Sequence, residues 1–319
     1  MSRPLLEARD LRVEYVTGES TVLAIDRVEL TVEPGEILGI AGESGSGKST
    51  LAKAVMRILP PPGVITGGRV EFEGKNLLDL SESELESIRW KRISMVFQSA
   101  MDSLNPVITV GEQIEDTIRA HTGTSRSEAR ERARELLDLV GMDPERVDSY
   151  AHQLSGGMRQ RVGIALALAL EPSLVILDEP TTALDVIVER EILAEIRALQ
   201  RRRGFAVLFI THDLERMLQI SDRIAVFYAA RLAELGPARE VRESAKHPYT
   251  QDLLRAFPRV RGEQVGGESI GGTPPSLARP PSGCRFHPRC PIAVERCGAE
   301  QPEWREITPG HWVACHLAE

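Results

Sequence analysis

Several stretches of this chain hold residues whose types and spacing suit phosphate chemistry. Gly42-Glu43-Ser44-Gly45-Ser46-Gly47-Lys48-Ser49-Thr50 has the pattern G-x-x-x-x-G-K-[ST]. Its glycines let the backbone curl so that successive N–H groups face phosphate oxygens. Lys48 has the reach and charge for the β- and γ-phosphates of a nucleotide, and the Ser49 hydroxyl suits Mg²⁺. Leu174-Val175-Ile176-Leu177-Asp178-Glu179 is an apolar run ending in two carboxylates. An Asp there is placed to hold Mg²⁺, and the adjacent Glu179 can activate water. Ser155-Gly156-Gly157, opening an apolar helix, offers a second cradle of exposed N–H groups. An ordinary serine cap gives the same local pattern, so this stretch has two readings. His212 and Gln98 each close an apolar run.

These groups need elements to hold them. Ile37–Ala41 reads as a buried strand and Leu51–Met56 as a helix, which is the strand–loop–helix context the glycine-rich motif requires. Ile93–Gln98, Leu174–Asp178 and Ala206–Ile210 read as further buried strands alternating with helices. That alternation predicts a mostly parallel sheet with its ligands at the carboxyl ends of the strands, where Lys48, Gln98, Asp178, Glu179 and His212 all fall. Upstream, Leu11, Val13 and Tyr15, then Val22, Ala24, Val28 and Leu30, alternate as antiparallel strands do. Tyr15 has two open readings, an adenine-stacking ring or a half-buried strand aromatic. Ser81/Glu84, Thr109/Glu112 and Ser125/Glu128 are capping boxes, the last two marking a helical insertion.

A different chemistry gathers near the other end. All four cysteines, Cys284, Cys290, Cys297 and Cys315, lie within the last forty residues, with five, six and seventeen residues between them. In a chain with no signal-peptide core and no bilayer-length apolar run, clustered cysteines point to a metal rather than to disulfides. Four thiolates satisfy a tetrahedral Zn²⁺ or an iron–sulfur cluster. The spacing lacks the paired C-x2-4-C knuckle common at zinc. Cys290 and Cys297, seven apart, would share a face if a helix joined them. The net charge of −8 argues against a phosphate-tracking nucleic-acid binder.

In order and spacing, the set resembles the ATPase subunit of ABC transporters over residues 6 to about 240. Gly42–Thr50 is similar to Walker A, Leu154–Gln160 to the signature motif, and Leu174–Glu179 to Walker B. Gln98 looks like the Q-loop, Ala183-Leu184-Asp185 the D-loop, and His212 the switch histidine. Ser103-Leu104-Asn105-Pro106, His247-Pro248-Tyr249-Thr250-Gln251 and the cysteine tail resemble the oligopeptide/dipeptide importer branch. The departures, Ala151 and Ala230, fall outside the chemical motifs.

The resemblance implies an α/β P-loop ABC ATPase: a RecA-like core, an antiparallel β subdomain and a helical subdomain at about 99–160, all within 1–240. A Cys-rich extension follows at 241–319. It implies ATP and Mg²⁺ as cofactors and ATP hydrolysis with Glu179, His212, Gln98 and Lys48 as the catalytic set. Nucleotide contacts would come from Tyr15, Gly42, Ser44, Gly45, Ser46, Gly47, Lys48, Ser49, Thr50, Gln98, Asp178 and Asp185, with Ser155, Gly156 and Gly157 reaching a partner's ATP. Ser49, Gln98 and Asp178 would hold Mg²⁺, and His212 would steady Glu179. The resemblance turns the four cysteines towards a 4Fe-4S cluster, with Zn²⁺ as the alternative. Its implied partners are a second, different ATPase subunit, two transmembrane permeases and an extracytoplasmic binding protein, and no nucleic acid. The chain would then sit peripherally on the cytoplasmic side of the cell membrane and power peptide import. Nickel chelates or oligosaccharides are alternative cargoes for the same machinery. A soluble ABC ATPase acting on nucleic acid or the ribosome is the remote alternative.

Overall fold

The computed structural model describes residues 3–18, 20–97, 104–182, 184–256 and 270–318. Strands β1 (Leu6–Val16), β2 (Thr21–Val32), β3 (Ile37–Ala41), β4 (Gly63–Phe72) and β5 (Lys75–Asn76) come first. Then follow β6 (Ile93–Val96), β7 (Leu174–Asp178) and β8 (Ala206–Ile210). β9 (Arg223–Tyr228), β10 (Arg231–Pro237), β11 (Arg305–Thr308) and β12 (His311–Val313) are the last. The chain divides into two units, one made of residues through Leu78 with Phe209 onward, the other of Asp79–Leu208.

The first unit contains an antiparallel sheet in the order β2-β1-β4-β5. Leu11, Val13, Ala24, Val28 and Leu30 are buried, as their alternation predicts. Sequence alternation marks residues 69–72 as a strand, and β4 starts six residues earlier, because Gly63, Val64 and Ile65 pair with Tyr15, Glu14 and Val13. The same unit holds the order β11-β12-β10-β9-β3. Here β3 and β9 run parallel, with Ile40 opposite Ala225, and the remaining pairs are antiparallel. All five residues of β3 are buried, which explains its continuous apolar run. The C-terminal extension thus adds β11 and β12 to the edge of a sheet that also carries the phosphate-loop strand.

In the second unit β6 and β7 pair in parallel, with Met95 opposite Ile176. The expected strand to Gln98 is shorter: β6 ends at Val96, Phe97 is exposed, and Gln98 and Ser103 lie outside the described residues. All three capping boxes form. Helix Arg126–Leu139 buries Ala129, Ala133, Leu136 and Leu137 on one side, and Gly141, at φ 66°, turns the chain away from it. Among the described residues, no helix is long and apolar enough to cross a membrane.

Candidate functional site

The phosphate loop leaves β3 at Ala41 and enters helix Lys48–Val55. Gly42, Gly45 and Gly47 take φ values of 147°, 75° and 112°, a region that disfavours side chains. A Cβ on Gly42 would meet the Phe227 carbonyl oxygen at 2.3 Å, and one on Gly47 the Ala24 oxygen at the same distance. Gly47 caps the helix without a side-chain bond, so the first N–H groups of the helix point into the loop. Lys48 is buried, its Nζ donating to the carbonyls of Gly42 at 2.8 Å and Glu43 at 2.9 Å. Ser46 is buried, Ser44 and Gly45 are exposed, and Ser49 and Thr50 are half-buried on the first turn. The result is a glycine-shaped loop at a helix mouth with a buried cation folded against its carbonyls.

His212 stands exposed two residues beyond β8. Its neighbours are fixed: the Asp213 N–H donates to Thr211 Oγ1 at 3.1 Å, and Asp213 caps helix Leu214–Ile220. The Tyr15 ring is half-buried and packs on Gly63, where a Cβ would lie 2.9 Å from Cε1.

In the second unit Asp178 is the buried last residue of β7. Glu179 follows with φ 48°, a left-handed turn that a non-glycine residue adopts at a cost. Thr182 Oγ1 donates to its Oε2 at 3.0 Å, fixing the carboxylate. Asp185 caps helix Val186–Arg203, accepting from the N–H groups of Ile187 and Val188; its neighbour Ala183 lies outside the described residues. Ser155 is exposed and caps helix Gly156–Leu168, its Oγ accepting from Met158 N–H at 3.3 Å. A Cβ on Gly157 would meet Val188 Cγ1 at 2.6 Å. The serine cap and the open N–H cradle therefore coexist, since capping Met158 leaves Gly156 and Gly157 at the helix mouth.

The tail corrects an expectation. Burial pushes the Cys284 thiol up to about 11, and neighbouring Cys315, Cys297 and Cys290 add to that rise. Burial also raises Cys290 and Cys315. Among the described residues no three His, Cys, Asp or Glu side chains form a metal-holding group. Metal binding needs thiolates, and burial favours the protonated thiol. Nor do Cys290 and Cys297 share a helix, for the segment there is only Glu295–Ala299.

The sequence reading missed what the extension does at the phosphate loop. Tyr249, from the His-Pro-Tyr-Thr-Gln stretch, accepts the Glu43 N–H on its hydroxyl at 3.0 Å. His247 orients it, Nδ1 accepting from the Tyr249 N–H at 3.0 Å. Arg289 makes a two-pronged contact with the Glu43 carboxylate at 2.8 and 2.9 Å. Arg285 ion-pairs with buried Asp26 and donates to the Ala229 carbonyl. The next residue, Ala230, donates to Ser46 O at 2.9 Å. Ala230 is thus no bystander, and it and Ala229 hold φ values of 70° and 46°. The available signal was the His-Pro-Tyr-Thr-Gln stretch itself and arginines set beside cysteines in the tail.

Comparison with known proteins agrees with this geometry. Residues 25–182 match the ABC transporter family, and residues 233–297 match the oligopeptide/dipeptide transporter C-terminal region. The chain is 44% identical to the dipeptide transport ATP-binding protein DppD of Caldanaerobacter subterraneus subsp. tengcongensis, over 99% of this chain and 97% of that one. It is 46% identical to the oligopeptide transport ATP-binding protein OppD of Salmonella typhimurium, over 98% and 93%. Among solved structures it resembles the dimeric ATP-binding cassette MJ0796 bound to ADP and Pi, with TM-score 0.67 and 30% identity over 73% of this chain and 99% of that one. CbiO1 of Clostridium perfringens follows at TM-score 0.66 and 28% identity, over 75% and 91%. The chain belongs to the ABC transporter ATPase family. Its C-terminal region places it in the oligopeptide/dipeptide branch of that family.

Proposed function

We propose that this chain is the subunit that hydrolyses ATP to drive peptide import through a binding-protein-dependent transporter. The observation that carries the reading is the phosphate loop: a buried Lys48 held in a loop of positive-φ glycines at the mouth of a helix. Lys48 and the loop amides hold the β- and γ-phosphates, while Ser49 and Asp178 hold Mg²⁺. Glu179, fixed by Thr182, orients and activates the attacking water. His212 contacts the γ-phosphate, and Gln98 senses the metal. Ser44, Gly45, Ser46 and Thr50 complete the cradle, Tyr15 stacks on the base, and Asp185 serves at the dimer contact.

Ser155, Gly156 and Gly157 form an anion site that a second ATPase subunit's nucleotide completes. ATP then stabilises a closed pair and hydrolysis releases it. That second subunit is a different chain, and the pair docks on two permeases at the cytoplasmic face of the membrane, fed by an extracytoplasmic binding protein. The domain boundaries follow: an ATPase domain over 1–240, with its helical part at about 99–160, and the extension at 241–319.

A further part of the proposal is that the four cysteines hold a 4Fe-4S cluster. The gathering of all four cysteines in a short extension supports it, and matching iron and sulfide in protein purified without oxygen would test it. For the main reading, the assembled complex should hydrolyse ATP faster when the binding protein carries a peptide. Stimulation by a nickel chelate or an oligosaccharide and not by peptides would refute the peptide assignment.

A further inference from the structure

The extension grips Glu43 of the phosphate loop at its N–H and at its carboxylate, while the loop's own Lys48 takes its carbonyl. The Glu43 N–H goes to Tyr249 Oη, its carbonyl takes Lys48 Nζ, and its carboxylate takes both prongs of Arg289. Arg289 is itself held from behind. Its Nε donates to the Gly271 carbonyl at 2.8 Å and its Nη1 to Tyr228 Oη at 3.2 Å. Its guanidinium lies 5.7 Å from the centre of the Tyr228 ring and 5.9 Å from that of Phe286. The Arg289 side chain is 5% exposed against 21% for Glu43, so the arginine is the fixed partner and the loop residue the one being placed.

Charge gives this contact a purpose beyond packing. Glu43 is an acidic residue at the start of a loop built for a polyanion. Unpaired, its carboxylate would repel the phosphates that the loop amides and Lys48 attract. A planar, two-pronged guanidinium cancels that charge and fixes its direction together. We infer that Arg289 is a positioning residue of the nucleotide site, supplied by the C-terminal extension, which neutralises and anchors Glu43 so that the phosphate loop accepts ATP. The inference rests on the reading of Gly42–Thr50 as the ATP cradle.

The test is an ATP titration of the full chain with Mg²⁺, together with steady-state hydrolysis by the assembled complex. Arg289→Ala should raise the ATP Kd and KM about tenfold, within the range usual for coupled sites, while kcat changes less than twofold. Arg289→Lys should fall between, because an ammonium supplies the charge without the fork. Arg289→Gln, which keeps polarity and length, carries the same expectation as the alanine if the latter does not fold. The double variant Arg289→Ala, Glu43→Gln should bind ATP within about threefold of wild type, because the charge that needed cancelling is gone. Arg296→Ala, in an exposed pair with Glu300 in the same extension, should leave the Kd unchanged. A lowered melting temperature with unaltered ATP affinity in Arg289→Ala would overturn the inference. So would a double variant that binds as weakly as the single one. A wild-type chain that binds no ATP overturns the cradle reading itself, and this inference with it.

Discussion

Asp26→Asn removes one charge and almost no volume, and the structure sets what that should cost. Asp26 accepts from Arg231 Nε at 2.7 Å and from Arg285 Nη2, and the Asp26 and Arg285 side chains are 8% and 7% exposed. Burial already pushes the Arg285 guanidinium down to about 10, with Asp26 pulling the other way. Without the carboxylate, two guanidinium groups face each other with no countercharge. Removing one partner of a buried pair costs about 3–5 kcal/mol. For a folding unit of this size, each kcal/mol moves the midpoint by roughly 2–4 °C, so the melting temperature should fall by about 10 °C. The loss should concentrate in the extension, since Arg285 is its buried side-chain tie to β2. Limited proteolysis should therefore release C-terminal fragments from Asp26→Asn before the rest of the chain is cut. A thermal scan showing a drop under about 2 °C, with wild-type proteolysis, would refute the claim that this pair secures the extension.

Other outcomes follow from the same geometry. Glu179→Gln should bind ATP normally and lose about 10²–10⁴-fold in turnover, because it removes the base and leaves the cradle intact; single-turnover kinetics would show it, and near-normal hydrolysis would remove Glu179 from that role. Lys48→Ala should weaken ATP binding at least about tenfold, the worth of a charge-assisted contact, as read by equilibrium titration. Ser155→Arg should leave ATP bound to this chain's own loop and block dimer closure; normal transport by the assembled complex would contradict the shared-site reading. His247 is buried and held neutral, its pKa pushed by burial down to about 4. Its folded value lies below the ordinary one of 6.5, so stability is full above 6.5 and falls as pH drops towards 4, by about 3 kcal/mol in all. His247→Asn, whose side-chain oxygen can still accept from Tyr249 N–H, should flatten that part of the pH–stability curve in denaturant melts.

The chemical motifs were legible because each is local. A glycine that must turn at positive φ, a lysine six residues on and a carboxylate ending a buried strand all announce themselves within a dozen residues. So did the capping boxes at Ser81, Thr109 and Ser125, where both hydrogen bonds lie three residues apart. What could not be read was long-range pairing. Arg289 and Glu43 are separated by 246 positions, and Arg285 and Asp26 by 259. Nothing in the local pattern of an arginine names its carboxylate. The early start of β4 was missed for the same reason: the Pro60-Pro61-Pro62-Gly63 breaker and Gly67-Gly68 interrupt the local pattern, and pairing with β1 carries the strand through. For the cysteines, spacing indicated convergence but not whether the thiols stand close enough to share an ion.

The tie between Arg289 and Glu43 also bears on the order in which the protein is made. Glu43 leaves the ribosome 246 residues before Arg289. At roughly 5–20 residues per second, the loop waits about 10–50 seconds for its anchor. During that interval the nascent chain carries a glycine-rich loop whose acidic residue has no counterion, and Tyr249 reaches it only shortly before Arg289 does. A ribosome-bound intermediate should therefore gain its nucleotide affinity late, after the extension has emerged, even though every residue of the loop is among the first to be synthesised.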